Sequence, residues 1–266
     1  MKPGVLILRT AGTNCDKETE FAFNLAGAKT ERLHINRIKE KNNISDFQII
    51  CLPGGFTYGD NLGAGKIFSL EILLWFKESL KEFLKKGGLI LGICNGFQVL
   101  VKTGILPDLD FEQKVTLSFN DSSRFEDRWT FLRLSVTSGE QTPGANAREP
   151  AGKNIWFRGL PEIINLPVAH GEGKFYAQGD ILDTIERGNQ VVLRYTDKNG
   201  KLAGYPDNPN GSLNNIAGIT DKEGKVLGLM PHPERFIFKH HYPYWRKEDV
   251  YPFGKKIFEN AVNYFK

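Results

Sequence analysis

The stretch LILGICNGFQVL, residues 89–100, decides how this chain is read. Residues 89–93 are an apolar run of the length and composition of a buried strand. Cys94 follows, then Asn95-Gly96, and the apolar pattern resumes at helical spacing over residues 96–102. A strand that passes directly into a helix is a unit of a parallel α/β sheet, whose functional groups gather at the carboxyl ends of the strands. Gly92-x-Cys94-x-Gly96 also has the spacing of a nucleophile elbow, with sulfur in place of the serine oxygen. So sharp a turn crowds the backbone and needs small residues two before and two after. In return it sets the side chain above the positive end of a helix, which lowers a thiol pKa. Cys94 is expected at the exposed tip of its strand. The competing reading is an inert, buried thiol, and the flanking glycines weigh against it.

Working outward, residues 5–9 and 47–52 read as strands, and 16–26 and 69–86 as helices. The second helix is the clearer one, with Leu70, Leu73, Leu74, Phe76, Leu80, Phe83 and Leu84 at helical spacing and Gly87 as its stop. Alternating apolar strands and helices predict an α/β fold: a doubly wound, mostly parallel sheet flanked by helices. After Pro107 the pattern changes to strands over 115–119, 130–136, 191–195 and 216–219, joined by Gly, Asn and Pro turns. A helix over 252–265 follows. These are additional strands within a single domain, 1–266, carrying a polar mobile loop at 138–153 and a C-terminal extension over 236–266.

Composition narrows the function. The net charge of +4 is small for 266 residues and its cations are scattered, so nucleic acid is a poor partner. No apolar run approaches a membrane span, and the opening MKPGVLILRTAG lacks the parts of a signal peptide. Three widely spaced cysteines make no disulfide framework. A cytoplasmic protein is expected.

A cysteine nucleophile needs a base, and the base needs an orienting group. His34 lies in an expected strand without a partner. His240 and His241 are adjacent and face apart, with no further ligand spaced for a metal, so no metal is expected. His170, in PVAHGEGKF, sits in a glycine-rich loop and is a candidate for substrate contact. His232, in LMPHPER, brings its own third member. Pro233 favours an extended His232, and in extended chain Glu234 shares its face. Among the other thiols, Cys51 reads as core. Cys15, in TNCDKE, lacks elbow glycines and has Asp16 beside it, so it ranks below Cys94. Pro53-Gly54-Gly55-Phe56 ends another strand with bare backbone N–H groups. GDNLGAGK fails as a phosphate loop, because Asp60 and Ile67 stand where Gly and Ser or Thr are required.

Gly-Gly-Phe, Gly-x-Cys-x-Gly-x-Gln and His-Pro-Glu, in that order, resemble the class I, or triad, glutamine amidotransferases, which have a flavodoxin-like fold. GTNCDKE, GGFTYGD, GICNGFQVL, SFNDSSRFEDRW, PVAHGEGKFY, YPDNPNGS, IAGI and MPHPER resemble more narrowly the glutaminase components of phosphoribosylformylglycinamidine synthases. The resemblance implies a Cys94-His232-Glu234 triad that hydrolyses glutamine to glutamate and ammonia through a glutamyl thioester. It implies an oxyanion site at the backbone N–H groups of Gly55 and Asn95, with Gln98, His170 and Gly171 at the glutamine head group. It further implies that ammonia passes to a synthetase subunit, which converts formylglycinamide ribonucleotide to its amidine in purine biosynthesis. No cofactor is expected in this chain, since ATP and Mg2+ would belong to that partner. A small accessory subunit is a further candidate partner.

Two other readings stand beside this one. One is a stand-alone cysteine hydrolase, a γ-glutamyl hydrolase or a peptidase-like protein. The other is a non-catalytic regulatory subunit that kept the fold.

Overall fold

The computed structural model describes residues 2–41, 44–135 and 155–266; the loop expected at 138–153 lies outside these. Its first half alternates as expected: β1 (Gly4–Arg9), α1 (Asp16–Leu25), β2 (Lys29–His34), α2 (Ile35–Lys41), β3 (Ile49–Leu52), α3 (Lys66–Lys85), β4 (Leu89–Ile93) and α4 (Asn95–Lys102). The second half holds β5 (Val115–Ser118), β6 (Glu126–Leu134), β7 (Ile163–His170), β8 (Lys174–Ala177), α5 (Gly179–Arg187), β9 (Val191–Thr196), β10 (Ile216–Thr220), β11 (Val226–Leu229) and α6 (Phe253–Asn263).

Nine strands form one sheet in the order β2-β1-β3-β4-β11-β10-β9-β6-β7, with β5 and β8 in a separate ribbon. β2, β1, β3, β4 and β11 pair in parallel. From β11 onward every pairing is antiparallel. The apolar residues Val5 to Leu8 and all of those in β3, β4 and β11 are at most 4% exposed, so both faces of this half are covered. That is why these strands read as unbroken apolar runs. β1 connects outward to β2 and β3 connects the other way to β4. Right-handed crossovers therefore place α1 and α3 on opposite faces, where α1 meets α6 and α3 meets α4.

The antiparallel half departs from the sequence reading. β6 begins at Glu126, four residues before the expected Thr130, because polar Glu126, Asp127 and Arg128 pair with His170, Ala169 and Val168 of β7. Partner strands override the local propensity there. The aromatic segment after Arg235 seals this half. Trp129 of β6 meets Phe236 and Tyr242 edge-on at 5.0 and 4.9 Å, and Phe236 reaches Phe253 of α6 at 6.0 Å.

Candidate active site

Four connections leave the carboxyl edge of the parallel strands side by side, and each carries one part of the site. Cys94 lies between β4 and α4 with φ 51° and ψ −105°, a conformation strained for any residue with a Cβ. Its neighbours hold it there. The Cys94 N–H donates to the Leu229 carbonyl at 2.8 Å, closing β4 onto β11. A Cβ on Gly96 would stand 1.8 Å from the Leu52 carbonyl oxygen, so only glycine lets α4 cross the end of β3. The thiol is not the exposed tip expected from the elbow. Cys94 is 5% exposed, because β7 roofs it and Ala169 offers its carbonyl to Sγ at 3.6 Å.

His232 follows β11, with its N–H on the Pro167 carbonyl at 2.8 Å. The residue itself is extended, at φ −104° and ψ 90°, but Pro233–Arg235 then coil into a single 3-10 turn. Glu234 therefore reaches the imidazole across a turn and not along a strand, as the sequence had suggested. Its Oε1 lies 2.6 Å from His232 Nδ1. Both side chains are buried, and neither His232 Nε2 nor Glu234 Oε2 has a hydrogen-bond partner. Burial pulls the imidazole pKa down, but Glu234 and then the thiols of Cys94 and Cys15 outweigh it, leaving it well above the usual histidine value. The two thiols thus lie within electrostatic reach of the ring without forming a well-aligned bond to Nε2. A buried carboxylate beside an imidazole with one open nitrogen is the arrangement of a general base.

Cys15, set aside in the sequence reading, lies on the same imidazole. It is the N-terminal cap of α1 and is buried. Burial pushes its thiol up to about 11, against a lowering contact with His232. A Cβ on Gly54 would meet His232 Cε1 at 2.9 Å and Cys15 Sγ at 3.1 Å, so the β3 turn is glycine where it packs on both. The loops after β1 and β3 are joined by Cys15 N–H to the Gly54 carbonyl, 3.2 Å, and Phe56 N–H to the Gly12 carbonyl, 3.0 Å. The only pointer to Cys15 in the sequence was its place in GTNCDKE.

The other expected residues line the same region. Gly55 has φ 144° beside the Thr13 bridge. Asn95 is the first residue of α4, so its N–H has no partner within the helix. The Asn95 side chain is part of a scaffold: its Oδ1 accepts from Thr57 Oγ1 at 2.8 Å and its Nδ2 donates to Gln98 Oε1 at 2.9 Å. Gln98 Nε2 donates in turn to the Glu172 carbonyl at 2.5 Å, and Glu172 Oε2 accepts the Ala64 N–H at 3.3 Å. His170 is not in a loop; pairing with Glu126 makes it the last residue of β7. Its Nδ1 donates to Asn120 Oδ1 at 3.1 Å, which leaves Nε2 to accept from Asn210 Nδ2 at 3.4 Å. Burial holds this imidazole neutral, with its pKa pulled down to about 3. Asn120 also accepts the Gly173 N–H at 3.1 Å and donates to the His170 carbonyl at 2.8 Å, fixing the backbone on both sides of Gly171. Asn120, Asn210 and Thr57 are framework residues that stand in the motifs quoted for the resemblance but were given no role there. Among the described residues, one set of side chains has the spacing to hold a metal: Cys15, Glu18, His232 and Glu234.

The half-parallel sheet flanked by helices agrees with the comparisons with known proteins. The chain belongs to the CobB/CobQ-like glutamine amidotransferase domain family, matched over residues 2–265. Within it, the chain is similar to phosphoribosylformylglycinamidine synthase subunit PurQ of Dehalococcoides mccartyi, 46% identical over 268 residues that cover 99% of this chain and 98% of that one. The subunit of the same name from Archaeoglobus fulgidus is 40% identical, with 98% and 96% covered. Among solved structures, PurLQS from Thermotoga maritima aligns at a TM-score of 0.71 and 30% identity, with 100% of each chain covered. A glutamine amidotransferase from the same organism, 17% identical and covering 99% of this chain and 98% of that one, shares the fold at a TM-score of 0.54.

Proposed function

We propose that this chain is the glutaminase subunit of a phosphoribosylformylglycinamidine synthase in purine biosynthesis. The observation that carries the mechanism is Cys94 held at φ 51° near an imidazole whose Nδ1 is on Glu234 and whose Nε2 is open. His232 takes the thiol proton, and Cys94 sulfur attacks the side-chain amide carbon of glutamine. The N–H groups of Gly55 and Asn95 stabilise the oxyanion, a contribution of about 3 kcal/mol per donor. His232 returns the proton to the departing nitrogen, so ammonia leaves and a γ-glutamyl thioester remains. The same imidazole then draws a proton from water, the hydroxide attacks the thioester, and glutamate leaves as the thiol is restored. Glu234 keeps Nδ1 protonated and stabilises the imidazolium that forms in each half.

Gln98 and the Gly171 backbone form the wall for the glutamine head group. With both ring nitrogens already engaged, His170 acts on that wall by holding its backbone. Ammonia passes to a synthetase subunit, which converts formylglycinamide ribonucleotide to its amidine. ATP and Mg2+ bind to that partner, and a small accessory subunit is a further candidate member of the complex. The reaction belongs to the cytoplasm; no helix among the described residues is long and apolar enough to cross a membrane.

Replacing Cys94 by Ala in the assembled complex tests this division of labour. Glutamine-dependent amidine formation should fall by about 10⁴-fold or more, as when a triad nucleophile is removed, while ammonia-dependent formation stays within about twofold. Equal loss of both activities would overturn the proposal.

A further inference from the structure

Behind the imidazole, on the side of α1, the mechanism leaves buried Cys15 and half-buried Glu18 unused. Cys15 occupies the N-cap position of α1 and Glu18 lies one turn on; His232 and Glu234 close the set from the turn that follows β11. One ligand atom from each of the four lies within 4.8 Å of the others. Two buried polar atoms of this set, His232 Nε2 and Glu234 Oε2, have no partner within the protein. The slot already holds a cation: the Arg235 guanidinium, with Nη2 on Cys15 Sγ at 3.3 Å and Nε on Glu18 Oε1 at 3.1 Å. The Arg235 side chain is 36% exposed, so it reaches the slot from the solvent side. A cleft of about 600 Å³, whose lining includes Lys17, Glu18, Phe21, Glu234, Arg235 and His241, opens beside it at the surface.

We propose that Cys15, Glu18, His232 and Glu234 form a zinc site, entered from this cleft, and that zinc there blocks the triad by occupying its base. One thiolate, one imidazole and two carboxylates are a zinc donor set; Mg2+ and Ca2+ take oxygen alone. Tetrahedral zinc needs ligand atoms roughly 3.3–3.8 Å apart, so the set contracts by about 1 Å once Arg235 withdraws. Binding releases to solvent the Cys15 proton and the proton of the His232 nitrogen that joins the metal, and the end of α1 favours the thiolate that remains. Whichever His232 nitrogen joins the metal, the base is lost: Nε2 directly, or Nδ1 at the expense of Glu234. Binding stands on the cluster alone, whereas the block rests on the function proposed above.

The test is Zn2+ titration of the purified full chain against a chromophoric chelator. One Zn2+ per chain is expected, with affinity falling at least tenfold in Cys15→Ser and in Glu18→Gln and rising in Arg235→Gln. Circular dichroism confirms that each variant is folded. In the complex, Zn2+ should suppress glutamine-dependent turnover reversibly on chelation, and Cys15→Ser should need at least tenfold more Zn2+ for the same effect. Unchanged affinity in both folded ligand variants overturns the proposal, as does binding that is lost only in Cys94→Ala. A complex with no glutamine-dependent turnover in metal-free buffer would sink the glutaminase reading while the chelator titration still reports on the site.

Discussion

The site is built from two halves of one sheet, and they treat polar groups in opposite ways. The parallel half, at the ends of β1, β3, β4 and β11, delivers groups whose bonding is unfinished. Cys94 is strained and meets a carbonyl only distantly, while His232 Nε2 and Glu234 Oε2 have no partner. The antiparallel half, at the end of β7, delivers groups that are saturated. His170 has both ring nitrogens engaged, Asn120 bridges four backbone or side-chain groups, and Asn210 accepts from Ser212 Oγ at 2.7 Å. A buried polar group without a partner costs stability, and within the site that cost falls on His232 Nε2 and Glu234 Oε2 of the parallel half. The saturated half supplies a rigid wall opposite.

The comparison is broken most severely at the elbow. In Gly96→Ala the new methyl would overlap the Leu52 carbonyl, backbone against backbone, with no flexible side chain to yield. We expect a loss of at least about 4 kcal/mol in stability, the range reserved for severe core strain, measured by denaturant unfolding. A loss below about 1 kcal/mol would show that the strained turn can relax. Gly54→Ala strikes the same half more gently, because its methyl meets two side chains, His232 at 2.9 Å and Cys15 at 3.1 Å. Stability should change by less than about 2 kcal/mol, while kcat with glutamine falls about 100-fold through displacement of the base. If kcat and stability fell in proportion, Gly54 would be a folding residue and no more.

The two halves also differed in how far the sequence disclosed them. β4 was read to the residue, and β1 and β3 nearly so, because strands covered on both faces need uninterrupted apolar side chains. The elbow was legible for a steric reason, the two glycines around Cys94. His232 and Glu234 were legible as a local triplet, although the turn that joins them was not. The division is not complete: β11 of the parallel half was missed, while β9 and β10 of the antiparallel half were read to within a residue. β6 opens on charged residues that only β7 explains, and α5 and β7 were not recognised at all. Cys15 was hidden for a different reason. Its importance comes from a contact with His232, 217 positions away in the chain, and no local pattern encodes a meeting of that kind. The same holds for Asn120 and Asn210, whose partners lie 40 to 50 residues distant.

Within the parallel half, Cys15 tests how far burial silences a thiol that lies beside a base. Its pKa is held up to about 11, mainly by desolvation. In a Cys94→Ser background, alkylation of Cys15 by iodoacetamide, followed by mass spectrometry, should be negligible at pH 8 and climb with a midpoint near 11. Ready alkylation at neutral pH would mean that the end of α1 and His232 outweigh burial, making Cys15 a second reactive thiol.

The subtlest expected effect lies in the saturated half and appears only in its dependence on pH. His170 has its folded pKa pulled down from 6.5 to about 3, chiefly by burial. The unfolded chain therefore takes up this proton below about pH 6.5, while the folded chain declines it until about pH 3. Between those values the unfolded state binds more protons, so the stability contributed by neutral His170 is complete above pH 6.5 and drains away as pH falls through the window. His170→Asn removes the titration along with the hydrogen bonds. The variant should be less stable at pH 7, and its deficit relative to the native chain should narrow by at most about 1.4 kcal/mol per pH unit below 6.5. Urea unfolding of both proteins between pH 7 and pH 4.5 measures the gap. A gap that stays constant would mean that His170 can be protonated where it lies, and hence that Asn120 and Asn210 can reorient around an imidazolium. The wall would then be as adaptable as the half of the site it faces, and the contrast between them would rest on strain at Cys94 alone.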